Sequence, residues 1–220
     1  MKTPVKVTIV TAALVVGLLL AALIYVLINN ASSSSPSTGG DQPQVIRPNS
    51  HVLDEGREGA VTVVEFLDFE CEACGAFYPI VEDLRTQFAG EITYVVRYFP
   101  LPGHINSTNA ALAAAAAAQQ GHFEAMYHRL FDTQASWGEA QDSRADIFRG
   151  FAEELGLDMA AYDEAVVSPE TMARVKLDFD EGQALGVSST PTFFVDGEPV
   201  QLELLTDLED AIAQAVSGAQ

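Results

Sequence analysis

The sequence predicts an α/β fold in which a βαβ unit opens the folded body, a helical block interrupts it and a ββα unit closes it. Three observations carry this expectation. Val61 to Phe66, VTVVEF, is a short β-branched apolar run suited to a buried strand. From Cys74 the apolar positions change period: Phe77, Val81, Leu84 and Phe88 follow at steps of three and four, one face of a helix that Gly90 ends. Ile92 to Phe99, ITYVVRYF, returns to strand chemistry, so residues 61–99 form a βαβ unit whose strands should run parallel.

The alternation then stops. After Pro100 to His104, Ser107 or Thr108 can cap a helix through the run Ala113 to Ala118, closed by Gly121. That run implies no chemistry, since alanine favours helix and lets neighbouring helices approach closely. Phe123, Met126, Tyr127, Leu130 and Phe131 keep helical spacing, as do Phe148, Phe151, Ala152 and Leu155. Trp137, Tyr127 and the phenylalanines are expected in the core. Pro169 is a favourable first position after Ser168 for a helix running towards Leu185. Strand chemistry returns at Thr192 to Val195, followed by the hairpin pair Asp196-Gly197, a short strand near Val200 and a last helix from about Leu204 to Val216.

Composition narrows the function. The chain has 220 residues, a formal net charge of -20 and two cysteines. With 31 acidic residues against 11 basic ones, a nucleic-acid partner is not expected, because phosphate binding needs clustered Lys and Arg. Two cysteines cannot staple a miniature scaffold, and a chain this long can bury a core. Residues 7–28 carry no charge and would span about 33 Å as a helix, enough for a ~30 Å hydrocarbon layer. A transmembrane helix is expected there, with a cleaved secretory signal as the alternative. Lys2 and Lys6 precede the segment, so the N-terminus is expected in the cytoplasm and the remainder outside it. Residues 29–44, rich in Ser, Gly and Pro, have the composition of a flexible tether with a reach of roughly 20 Å. The sequons at Asn30 and Asn106 are too short to argue for glycosylation.

Cys71-Glu72-Ala73-Cys74 lies where the first strand meets its helix. A structural zinc site would need two further ligands, and there is no third cysteine and no tight histidine pair to supply them. No metal or other cofactor is therefore expected. Redox chemistry has a physical basis: residues i and i+3 share a helical face, so the sulfurs can meet, and the first sits where unpaired N–H groups and the helix dipole favour a thiolate. Cys71 is then the nucleophile that forms a mixed disulfide, and Cys74 resolves it.

EFLDFECEAC, the helical block and SSTPTFFVDG together resemble the DsbA-like family of thiol-disulfide oxidoreductases, which are thioredoxin folds with an inserted helical domain. The likeness covers about Ala60 to Ala215. It implies a cis-proline at Pro191 facing the dithiol, with Thr190 before it shaping the substrate contact; the alternative is a trans proline at a strand start. It also implies that Glu65 assists proton transfer at the buried cysteine, unless it is only a carboxylate at a strand end. Pro79 matches a helix-kinking proline. Pro102-Gly103-His104 is similar to a loop of bacterial relatives, and whether His104 lies near the site stays open. The expected organisation is a cytoplasmic N-terminus (1–6), a transmembrane helix (7–28), a linker (29–44), a first thioredoxin-like half with the CxxC (45–103), the helical insertion (104–185) and a second half with the cis-proline (186–220).

This sequence departs from the family's strong oxidant between the cysteines, where Glu72-Ala73 replaces Pro-His and Glu70 also flanks the site. Negative charge opposes thiolate formation, so Glu70 and Glu72 should tune Cys71 to a pKa above the ~3.5 of DsbA and a potential below its approximately -120 mV. The helix dipole and a cationic neighbour, such as Arg97 on the adjacent strand, could offset part of this effect. Three functions remain open: an oxidase that donates its disulfide to exported cysteine-containing proteins and is reoxidised by a quinone-linked membrane partner; a disulfide reductase or isomerase fed by a membrane electron donor; and a non-catalytic chaperone or binding module.

Overall fold

A computed structural model of the chain describes residues 43–218. The transmembrane helix expected at residues 7–28 and nearly all of the expected linker lie outside the described residues. Among those described, no helix is long and apolar enough to cross a membrane.

The strands are β1 (His51–Asp54), β2 (Val61–Leu67), β3 (Ile92–Tyr98), β4 (Thr192–Val195) and β5 (Glu198–Pro199), ordered β1-β3-β2-β4-β5 in one mixed sheet. β2 and β3 are parallel, as their helical crossover requires, with Glu65 opposite Val96 and Phe66 opposite Arg97. The other pairs are antiparallel. The hairpin between β4 and β5 turns on Asp196 and Gly197, both at positive φ, as a two-residue I′ turn demands. Asp196 Oδ1 also accepts from Thr62 N–H at 2.8 Å and ties this turn to β2.

The crossover helix α1 (Glu72–Gln87) follows β2 and includes Pro79. The insertion supplies α2 (Ser107–Ala118), α3 (Phe123–Asp132), the short α4 (Gln134–Trp137), α5 (Ala145–Glu154), α6 (Met159–Ala165) and α7 (Pro169–Ala184), and α8 (Asp207–Gly218) ends the fold. α2 is buried along nearly its whole length, and its alanines let α3, α5, α6 and α7 pack around it. A helix apolar on every side can be stable only in such a central position. The side chain of Ser168 accepts from the N–H groups of Glu170 and Thr171, so the expected start of α7 is capped. Trp137 and Tyr127 are fully buried.

Alternation along the strands divides the core. Val63, Leu67, Tyr94 and Val96 face α1, α8 and much of the insertion. Val64, Phe66, Val95 and Phe99 face the other way, against Phe179 and Leu185 at the end of α7. Glu65 falls on the first face and Arg97 on the second, and this parity decides what each can reach.

Candidate active site

β2 ends at Leu67, and Asp68, Phe69 and Glu70 carry the chain to Cys71, the N-cap of α1 in extended conformation. Cys71 is 8% exposed and Cys74 1%, so one sulfur reaches the surface and the other is sealed one turn deeper. Both are free thiols. Cys71 Sγ donates to Thr190 O at 3.3 Å, and the Thr190–Pro191 bond is cis. The segment before β4 thus lies across the dithiol. Thr190 Oγ1 is buried without a hydrogen-bond partner among the described residues.

The two thiols are driven apart. The hydrogen bond from Cys74 lowers Cys71 to about 5; burial opposes this, while Thr190 and the N–H groups of Ala73 and Cys74 add to it. Cys74 is raised well above an ordinary thiol, first by burial and then by its bond to Cys71 and the charge of Glu65. Such a pair holds an attacking thiolate at Cys71 and a proton at Cys74. Glu65, 2% exposed, is itself raised to about 7 by burial, while Tyr94 Oη donates to Glu65 Oε2 at 2.6 Å and resists the shift. A carboxyl that titrates near neutrality under the buried thiol can exchange a proton there.

The two glutamates beside the cysteines are held in different settings. Glu70 is buried and its Oε2 accepts from Asn106 N–H at 2.6 Å, while Glu72 is exposed in the first turn of α1. Arg97 is not the offsetting cation expected from its neighbouring strand. Strand parity turns it to the opposite face of the sheet, where it pairs with Asp178 and Glu181.

Two residues missed in the sequence hold the active-site turn. The Asp68 carboxylate, fully buried, accepts from Glu70 N–H and Ser107 Oγ on one oxygen and from Leu101 N–H and His104 Nδ1 on the other. Gln134, from α4, donates through Nε2 to Phe69 O and Cys71 O, both at 2.8 Å. Gly75 makes this approach possible, because a Cβ there would meet Gln134 Oε1 at 2.0 Å. The acidic residue three before Cys71 was a visible signal for Asp68. Gln134 had none, since nothing local marks a contact across so long an insertion.

A dithiol at a strand–helix junction, with split thiol acidities and a cis X-Pro segment across it, defines a thiol-disulfide oxidoreductase built on the thioredoxin fold. The thioredoxin family model matches residues 55–214, and the chain belongs to that family. A thioredoxin-like oxidoreductase from Silicibacter pomeroyi DSS-3 is similar at 32% identity and TM-score 0.64, covering 78% of this chain and 94% of that one. BdbD from Bacillus subtilis shares the fold at TM-score 0.68 and 21% identity, over 80% of this chain and 97% of that one. Wolbachia pipientis alpha-DsbA1 does so at TM-score 0.66 and 19% identity, over 79% and 94%. Curated relatives are longer. A Na(+)/H(+) antiporter NhaA of Herminiimonas arsenicoxydans is 33% identical over 194 residues, which is 85% of this chain and 30% of that protein. The chain thus spans less than a third of that relative's length, and the likeness to these antiporters lies in the thioredoxin-like portion.

Proposed function

We propose that this chain is an extracytoplasmic oxidase that donates a Cys71–Cys74 disulfide to exported cysteine-containing proteins. The observation that carries this reading is the split between the thiols, with Cys71 at about 5 and Cys74 well above its ordinary value. A stabilised Cys71 thiolate favours the reduced protein, and that makes its disulfide a better oxidant. A substrate thiolate attacks Cys71 Sγ, the Cys71–Cys74 bond breaks, and Cys74 leaves with the electron pair and takes a proton, for which Glu65 is the nearby carrier. A second substrate thiolate then attacks the substrate sulfur of the mixed disulfide and releases Cys71 as thiolate. Two electrons pass to the protein, and the substrate leaves with a new disulfide. Thr190 and Pro191 border the attacked sulfur and form the edge that a substrate segment meets.

Return of the disulfide requires a two-electron acceptor, and a quinone-linked membrane protein fits a catalytic body held by the uncharged segment at 7–28 and the tether at 29–44. In that arrangement residues 1–6 are cytoplasmic, and the halves 45–103 and 186–220 flank the insertion 104–185. Trapping the in vivo state of Cys71 and Cys74 with an alkylating reagent tests the direction of flow. Mostly disulfide is expected, whereas mostly dithiol overturns the oxidase in favour of a reductase or isomerase. Replacing both cysteines by serine should abolish activity, and activity retained would indicate a chaperone.

A further inference from the structure

His104 is attached to the active-site turn through Asp68. Its Nδ1 lies 2.6 Å from Asp68 Oδ2, and Asp68 O accepts from Cys71 N–H at 3.1 Å. Asp68 already takes three other donors, from Glu70, Leu101 and Ser107. A carboxylate only accepts, so the hydrogen in the bond belongs to His104 Nδ1, and Nε2 is the nitrogen that gains or loses a proton. The imidazole is one quarter exposed, open enough to exchange that proton with solvent. Burial opposes its charged form, but the hydrogen bond and charge of Asp68, together with the charges of Cys71 and Glu70, outweigh this and raise its pKa.

We propose that the Asp68–His104 pair is a positioning device for the dithiol, in which His104 protonated on Asp68 stabilises the Cys71 thiolate and ties the redox state to a proton on the imidazole. This rests on the reading of Cys71 as the reactive sulfur. It supplies, from the loop before α2, a cation that the sequence between the cysteines lacks. Coupling between two sites is reciprocal. The thiolate therefore holds the proton on His104, and conversion of the dithiol to the disulfide removes that charge and loosens it. On reduction, two electrons enter the Cys71–Cys74 bond, Cys74 takes a proton, Cys71 remains a thiolate, and His104 gains a further fraction of a proton from solvent.

The test is an NMR titration of the histidine rings in the full-length protein, oxidised and then reduced. His104 should titrate at a higher pH in the reduced form, by roughly one pH unit, the size expected for one nearby charge. Coincident midpoints overturn the proposal, and a merely structural His104 would give them. In His104→Asn, which keeps a donor for Asp68 and loses the charge, the ultraviolet titration of the Cys71 thiolate should move up. Alkylation of Cys71 near pH ~5 should then slow several-fold, up to roughly tenfold. A Cys71 titration unmoved in a folded His104→Asn variant also overturns it, and the titration of the unaltered protein decides if that variant does not fold. A chain that exchanges disulfides but shows neither effect refutes this inference alone, whereas a chain without exchange activity refutes the proposed function.

Discussion

At the residue scale, the difference between Cys71 and Cys74 is a difference of depth. Cys71 is the less buried sulfur, so in Cys74→Ser its thiolate should attack a disulfide-bonded substrate, release one substrate sulfur as thiolate and, with no second thiol to resolve the product, leave a mixed disulfide seen as a higher-mass species that dithiothreitol dissolves. Cys71→Ser should give none. Glu65 sets a second expectation. Its folded pKa of about 7 lies above the ordinary 4.5, so between those values the folded protein binds more protons than the unfolded one. Stability should therefore be intact below pH ~4.5 as far as Glu65 is concerned, and fall as pH rises through about 7. At about 1.4 kcal/mol per pH unit the loss is on the order of 3 kcal/mol. Denaturant titrations across that range should show the decline, and Glu65→Gln should flatten it. Cys71, Cys74, Glu65 and the Thr190-Pro191 pair were legible because a spacing or a resemblance marks each of them. Asp68 was marked only by its place three residues before Cys71 and Gln134 by nothing local, because their roles consist of hydrogen bonds to residues brought close only by folding.

At the scale of elements, periodicity was a good guide wherever an element buries one face. β2, α1, β3 and α7 lie within a residue or two of where the apolar pattern puts them. β1 escaped notice because it is four residues at the sheet edge, partly exposed, and paired only to β3. α6 and the single turn of α4 are likewise too short for a period to be read. Gly182 was also silent in the sequence. It sits in α7 where the helix crosses the sheet, and a Cβ there would meet Phe99 Cδ2 at 2.7 Å and Phe66 Cδ1 at 3.1 Å. Gly182→Ala should accordingly destabilise by roughly 1–3 kcal/mol through overpacking, despite alanine's better helix propensity of about 1 kcal/mol. A thermal melt would measure it, and a rise in midpoint would show that Phe99 can yield.

At the scale of the molecule, acidity is the dominant field. Acidic residues outnumber basic ones 31 to 11, and Lys176 is the single lysine after Lys6. Exposed pairs such as Arg149–Asp163 and Lys176–Asp180 contribute little and are screened by salt, while the excess negative charge repels itself over longer range. Added sodium chloride should therefore raise the melting temperature, and a fall would mean that surface ion pairs matter more than net charge. The cluster of Arg97, Asp178 and Glu181 is exempt, since burial protects it from screening, and it ties residues 44 and 45 to β3 through their carbonyls.

The grip of Gln134 on the carbonyls of Phe69 and Cys71 bears on how the protein is made. The two cysteines are synthesised early, but the amide that holds their turn arrives some sixty residues later, and Thr190 later still. A growing chain consequently carries its thiols before it carries the contacts that fix their turn. The bond from Cys71 to Thr190, one of the contacts that lower its pKa, forms only when the segment before β4 has joined the sheet, so folding withholds part of the setting of the dithiol until the molecule is nearly complete.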